Sequence, residues 1–319
     1  MIFDLIEDTI HTFAFLLLSS ILLQLLPTMV KASENEFKII PDFNFVAAGD
    51  WGCDSKAHNT VNNIQNKSPE IVLALGDLSY RRTADCWFDM MSPLIDKTKI
   101  VFGDHEYNFK NSSKLALYLD RFNLDKQYYS FDYQNAHFLA MSSELPFDKE
   151  SKQYTFVNDD LQAASKNGSI NWIIVYLYEM LYTSPTLHTP TETLRDIYHP
   201  LFDNYGVDLV LQAHSHNYQR SFPIKYNEIE ASKPIIVDKH EEQYVDPHGE
   251  IFIIAGTAGA DLHNFTGQAP YVVTQFQRFG FLNLDIINNG TTLVGTFYEK
   301  REGTDKDNFI IAKSLKEEK

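Results

Sequence analysis

Residues 43–50 read FNFVAAGD, residues 71–77 read IVLALGD and residues 99–106 read KIVFGDHE. Each is a short apolar run of the strand type that stops at a glycine followed by an aspartate, and Asp50, Asp77 and Asp104 lie 27 positions apart. In a strand–helix–strand arrangement the loops that leave such strands emerge on one side of the sheet, so the three carboxylates are expected to converge there.

Further strands are read at Tyr128–Tyr133, Ala136–Met141, Trp172–Tyr178, Val207–Leu211, Ile251–Ala255, Phe279–Ile286 and Thr292–Tyr298, and helices at Ala84–Leu94, Lys114–Phe122 and Thr191–Tyr205. Many strands, with helices interspersed early and almost none late, point to layered sheets with helices outside. No repeat or Gly/Ser-rich linker divides the chain past residue 40, so residues 40–312 read as one domain and Lys313 to Lys319 as a solvated charged tail. After Val207–Leu211 come Gln212-Ala213-His214-Ser215-His216, which add two imidazoles two residues apart. Carboxylates joined by imidazoles are what hard or borderline metal ions require. A lone Gly-Asp is usually a turn, and a lone His-x-His is more often surface or core than ligand; the weight rests on the ordered set.

The chain has 319 residues, with 27 Lys and Arg against 43 Asp and Glu, a formal charge of −16. That balance disfavours nucleic acid as the main partner, because phosphate backbones are held by clustered basic side chains. At 44% hydrophobic and 22% charged residues it is a globular composition. Residues 13–26, FAFLLLSSILLQLL, form an apolar run of signal-peptide length, although Asp4, Glu7 and Asp8 make its flank acidic. Residues 1–32 are therefore expected to be a signal peptide, cleaved before Ser33, or a retained N-terminal membrane anchor. Export agrees with N-x-Ser/Thr triplets at Asn66, Asn111, Asn167, Asn264 and Asn289, and with a pair of cysteines, Cys53 and Cys86, that permits one disulfide.

Five ordered blocks make the chain resemble the purple acid phosphatases of the calcineurin-like metallophosphoesterase superfamily: Gly49-Asp50-Trp51-Gly52, Gly76-Asp77-Leu78-Ser79-Tyr80, Gly103-Asp104-His105-Glu106, Val175-Tyr176-Leu177-Tyr178 and Ala213-His214-Ser215-His216. The first two match the family pattern fully. In the others Asp104 replaces the family's asparagine, Tyr178 its histidine and Ala213 its glycine. The resemblance implies a four-layer αββα sandwich of two mixed β-sheets flanked by helices, without the N-terminal fibronectin-like domain of larger plant relatives. It also implies two metal ions. Asp50, Asp77, Tyr80 and His216 would hold ferric iron, and Asp77 would bridge to a divalent ion (Fe, Mn or Zn) on Asp104 and His214. Tyr178 is a poor substitute for the missing imidazole, because a phenol must lose its proton to bind well. Glu179 or His188 could supply a ligand by local rearrangement.

The resemblance further implies a metal-bound hydroxide attacking phosphorus, with His105 as general acid or hydrogen-bond donor at the leaving oxygen. Cys53 and Cys86, in loops leaving adjacent metal-bearing strands, are expected to pair. The leading expectation is an exported phosphomonoester hydrolase acting on phosphorylated small molecules, with a membrane involved only through the N-terminal segment. The alternatives are a weakened or inactive binding protein that retains one metal, and a phosphodiesterase or nucleotide hydrolase.

Overall fold

The computed structural model describes residues 39–107, 113–299 and 305–314. The first half of the fold runs β1 (Phe43–Ala48), α1 (Ser55–Lys67), β2 (Ile71–Leu75), α2 (Asp85–Met91), β3 (Thr98–Val101), α3 (Asp104–Tyr107), α4 (Ser113–Arg121), β4 (Tyr129–Tyr133) and β5 (Ala136–Ala140). The remainder is α5 (Lys152–Lys166), β6 (Trp172–Tyr176), α6 (Glu192–Tyr205), β7 (Leu209–Gln212), β8 (Tyr218–Ser221), β9 (Ile224–Lys225), β10 (Ile235–Ile236), β11 (Gln243–Val245), β12 (Ile251–Ala255), β13 (Val272–Phe276), β14 (Gly280–Ile287), β15 (Thr292–Glu299) and β16 (Asp305–Ala312).

The strands form two seven-stranded mixed sheets, ordered β11-β16-β15-β14-β1-β2-β3 and β13-β8-β12-β7-β6-β5-β4, beside a small β9–β10 ribbon. Alternation along each strand builds the layers. Phe43, Phe45 and Ala47 of β1 and Trp172, Ile174 and Tyr176 of β6 face a core shared by the two sheets. The intervening Val46 and Ala48 pack with Ala57, Val61 and Ile64 of α1, while Ile173 and Val175 pack with Val157 and Leu161 of α5 and Leu194 and Phe202 of α6. The result is the helix–sheet–sheet–helix sandwich.

Two helices, α1 and α5, were not foreseen from the sequence, because both are rich in Asn, Gln and charged residues. A narrow buried stripe holds α1 down: Ala57, Thr60, Val61 and Ile64 follow a 3.6-residue period. Asp54 caps it, accepting from the backbone N–H groups of Lys56 and Ala57 at 2.8 and 3.3 Å. Strand β6 stops at Tyr176, two residues short of the apolar run that suggested it. Lys313 departs from the solvated tail expected for it. Its ammonium donates to Asp208 Oδ1 at 2.8 Å and the Asn171 carbonyl at 2.6 Å, and lies over the Trp172 ring.

Cys53 and Cys86 are joined by a disulfide with Cα atoms 6.0 Å apart, linking the loop after β1 to the first turn of α2. Their separation of 33 residues corresponds to about 3–4 kcal/mol of loop-closure entropy removed from the unfolded chain. Among the described residues no helix is long and apolar enough to cross a membrane. The apolar run at 13–26, the Asn111 triplet and the tail past residue 314 lie outside the described residues.

His137, on β5, pins α5 to its sheet. Its ring nitrogens contact Asp132 Oδ1 at 2.7 Å and Asp160 Oδ2 at 2.8 Å. Burial opposes the charged imidazole, but hydrogen bonds to Asp160 and Asp132 outweigh it and hold its pKa above the ordinary value. A histidine raised in this way stabilises the fold fully below its unfolded pKa of about 6.5 and loses that contribution as the pH rises through the folded value. Asp160→Asn is expected to cost about 1.5–3 kcal/mol at pH 5.5 and less at pH 9 in urea titrations. A deficit of the same size at both pH values would show that the imidazole does not change charge between them.

Candidate metal centre

Strands β1, β2 and β3 are parallel neighbours, so the residues that leave their C-terminal ends emerge at one edge: Asp50, Asp77 and Asp104. Strands β6 and β7 are parallel in the other sheet, and past their ends come Tyr178, His214 and His216. Backbone hydrogen bonds lace these loops together: Asp50 N–H to Gly76 O at 3.2 Å, Trp51 N–H to Asp77 O at 3.0 Å, and Ala213 N–H to Tyr178 O at 3.0 Å. Asp50, Asp77 and His214 have φ of 56°, 48° and 64°. These left-handed conformations cost a residue with a Cβ on the order of 1 kcal/mol or more and persist where surrounding contacts over-determine them.

The first group of donors is Asp50, Asp77 and His216, whose ligand atoms lie within 4.8 Å of one another. The Tyr80 hydroxyl completes it, donating to Asp50 Oδ1 at 3.1 Å and lying 2.9 Å from His216 Nε2. His216 Nδ1 donates to the Asp261 carbonyl at 2.7 Å, which turns Nε2 toward the carboxylates. Asp50 Oδ2 is buried and has no hydrogen-bond partner. Its carboxyl nonetheless titrates below the ordinary value, because His216 and His214 outweigh the cost of burial. Asp77 is the opposite case: burial first, then the charges of Asp50, Glu106 and Asp104, push its carboxyl well up. Buried carboxylates at such close quarters, one with an orphaned oxygen, fit a cation of the hard or borderline kind.

The second group is Asp77, Asp104 and His105. Asp77 thus belongs to both groups, the position of a bridging ligand. The sequence had placed His214 here, but its partner is Tyr178. The Tyr178 hydroxyl donates to Asp104 Oδ1 at 2.9 Å and lies 2.8 Å from His214 Nδ1. Burial, then Asp50 and Asp77, push the phenol's pKa far up, so it keeps its proton. Glu179 Oε1 is 3.7 Å from His214 Nε2, and the His188 ring lies tilted with its centroid 4.1 Å from that of His214, so both flank the site.

The Calcineurin-like phosphoesterase family model matches residues 43–218, more than half of the chain and every block described above. The chain belongs to the calcineurin-like phosphoesterases. Acid phosphatase type 7 of Mus musculus is 27% identical over 308 residues, covering 84% of this chain and 67% of its own length. A purple acid phosphatase from yellow lupin (Lupinus luteus) seeds superposes with a TM-score of 0.75 at 21% identity, over 86% of this chain and 54% of its own. The chain therefore spans about half the length of the lupin protein. GAP50, the anchor in the inner membrane complex of Plasmodium, superposes with a TM-score of 0.65 at 17% identity, over 88% of this chain and 91% of its own. The fold and the hydrolase class follow from the family, and purple acid phosphatase relatives imply a dinuclear metal centre.

Sequence reasoning gave no role to several residues that brace this phosphoesterase site. Glu106, the last residue of the third block, is buried and accepts from Leu78 N–H at 3.2 Å and Gly103 N–H at 3.0 Å, tying the second metal loop to the third. Lys114 sits 3.4 Å from Glu106 and donates to the carbonyls of Ser79 and His105. The His263 ring stacks on that of His216 at 3.9 Å, and burial, then His216 and His188, lower its pKa to about 4. The third block contains Glu106 but gave it no role, and no motif marked Lys114 or His263, since each reads locally as surface and is set apart in sequence from what it supports.

His105 donates its backbone N–H to Asp77 Oδ1 at 3.0 Å, and its half-buried ring lies 4.2 Å from that of Tyr80. Burial lowers its pKa, against the pull of Asp104. An open cleft of about 430 Å³ runs past Tyr80 and His216, with Arg81, Asp54 and His263 in its walls. A third donor group, His199, Asp203 and Glu250, lies toward the start of β12, the sheet edge opposite the metal loops. Its imidazole is engaged at both nitrogens, His199 contacting Tyr182 at 2.8 Å and Glu250 at 3.1 Å, while Asp203 Oδ1 is buried without a partner.

Proposed function

We propose that this protein is an exported, metal-dependent phosphoesterase that hydrolyses phosphomonoesters of small molecules. The observation that carries the reading is the convergence of Asp50, Asp77, Tyr80 and His216 around the orphaned Asp50 Oδ2. These four residues would hold the metal, ferric iron in keeping with the phenol in the set. When bound, the ion supplies positive charge that polarises a phosphoryl oxygen and acidifies water.

The chain's own groups do the rest. His105, with a face on the site and its Nε2 3.9 Å from Asp77 Oδ2, is placed to donate a hydrogen bond to the leaving oxygen. Arg81, exposed at the cleft wall, offers a guanidinium to the substrate phosphate. Glu106 and Lys114 keep the carboxylate loops from spreading apart. Export rests on the apolar run at 13–26, the Cys53–Cys86 disulfide and the exposed acceptor residues Asn66, Asn167 and Asn264.

The test is turnover by the full-length protein supplied with iron, manganese and zinc, using p-nitrophenyl phosphate against its bis-ester. Monoester hydrolysis that exceeds diester hydrolysis is expected. The reverse preference would move the assignment to phosphodiesters. A second reading, a fold that binds a metal without turning over substrate, is favoured by the Tyr178 hydroxyl lodged between Asp104 and His214. Bound metal with no hydrolysis of either ester would establish it.

A further inference from the structure

The two donor groups differ in how far their atoms are already satisfied. Asp50 Oδ2 in the first has no partner, whereas Asp104 Oδ1 in the second and the neighbouring His214 Nδ1 are both engaged by one hydroxyl, that of Tyr178. A hydroxyl has one hydrogen, and here it goes to Asp104, so the contact at 2.8 Å requires His214 to carry its proton on Nδ1. An imidazole protonated there has no lone pair for a metal on the side that faces Asp104. Asp77 Oδ1 is likewise taken, by the His105 backbone N–H.

The phenol ring is buried and closely packed. It lies against Gly76 and Gly103, where an added Cβ would come within 2.6 Å of Tyr178 Cδ2 and 2.8 Å of Cε2 respectively. Tyr178 also continues the inward-facing parity of Trp172, Ile174 and Tyr176, which anchors the ring in the core between the sheets.

We infer that the hydrogen-bonded series His214–Tyr178–Asp104 stands in place of the second metal ion, so that this phosphoesterase works with a single ion held by Asp50, Asp77, Tyr80 and His216. The inference rests on the phosphoesterase reading above. In place of a cation, the second position offers the substrate side a neutral, proton-bearing phenol between an imidazole and a carboxylate.

The experiment is a metal count per chain by elemental analysis, on the full-length wild type, Tyr178→His and Asp104→Ala, each equilibrated with iron and then with excess manganese or zinc. The wild type is expected to hold one ion at this centre and Tyr178→His to gain a second. A second ion on the wild type that survives Asp104→Ala belongs elsewhere in the fold and leaves the count at this centre at one. Two ions on the wild type, one of them lost in Asp104→Ala, would overturn the inference while leaving the phosphoesterase reading intact. A Tyr178→His chain that folds and still holds one ion would overturn it too. No ion on the wild type would instead sink the metallophosphoesterase reading itself.

Discussion

Asp77→Asn is expected to abolish tight metal binding and to lower kcat/KM for phosphomonoesters by at least about 10³-fold, while leaving the metal-free protein at least as stable as the wild type. Asparagine keeps the shape of the side chain and its left-handed backbone, with φ at 48°, a conformation asparagine tolerates well. It removes the one carboxylate shared by both donor groups. Loss of a single preorganised electrostatic contact at a reaction centre commonly costs about 10²–10³ in rate, and here the metal goes with it.

The stability half of the prediction follows from the proton. Burial, together with Asp50, Glu106 and Asp104, raises the Asp77 pKa well above its ordinary value. A carboxyl raised on folding takes up a proton in the folded state, so its ionisation penalises the metal-free fold increasingly as pH rises above the ordinary carboxylate range. The advantage of Asp77→Asn over the metal-free wild type should therefore widen from pH 4 to pH 7 in thermal melts. A variant that binds metal and turns over normally would remove Asp77 from the centre. A variant destabilised equally at both pH values would show that the residue serves packing instead.

The second large effect lies far from the site. Asp307→Ala should cost about 3–5 kcal/mol of folding stability. Asp307, on β16 of one sheet, accepts from Arg220, on β8 of the other, through Nε at 2.7 Å and Nη2 at 2.8 Å, and from the Tyr218 hydroxyl at 2.8 Å. Both charged side chains are almost fully buried, so the pair joins the two sheets across the core. Removing only the carboxylate strands a guanidinium whose remaining partners are the Tyr244 hydroxyl and the Glu241 carbonyl. Adding Arg220→Met in the same chain should recover most of the loss, because an apolar pair can replace a buried ion pair at little net cost. Urea titration of the two single variants and the double variant measures this directly. Additive losses would mean that the pair is not coupled.

Much of the fold was legible because strands declare themselves locally. Strands β1, β2 and β12 begin and end where their apolar runs do. The Gly-Asp endings marked which strand ends bring the donor carboxylates together. Harder to see were α1 and α5, whose polar composition hides a thin buried stripe, and β8 and β16, whose polar residues are tolerated inside only because they pair across the sandwich. Lys313 was misjudged for the same reason: its carboxylate partner, Asp208, lies 105 positions away.

The sequence by itself determined the alternation of each strand, the order of the chemical blocks and the candidate set Asp50, Asp77, Tyr80 and His216, because these depend on residue type and on periods of two or four along the chain. Tertiary structure alone decided that β14 lies beside β1, that Arg220 meets Asp307, and that the Tyr178 hydroxyl lodges between Asp104 and His214. Those outcomes depend on where packed surfaces bring distant backbone together, and on burial, which leaves few polar atoms taken out of water without a partner.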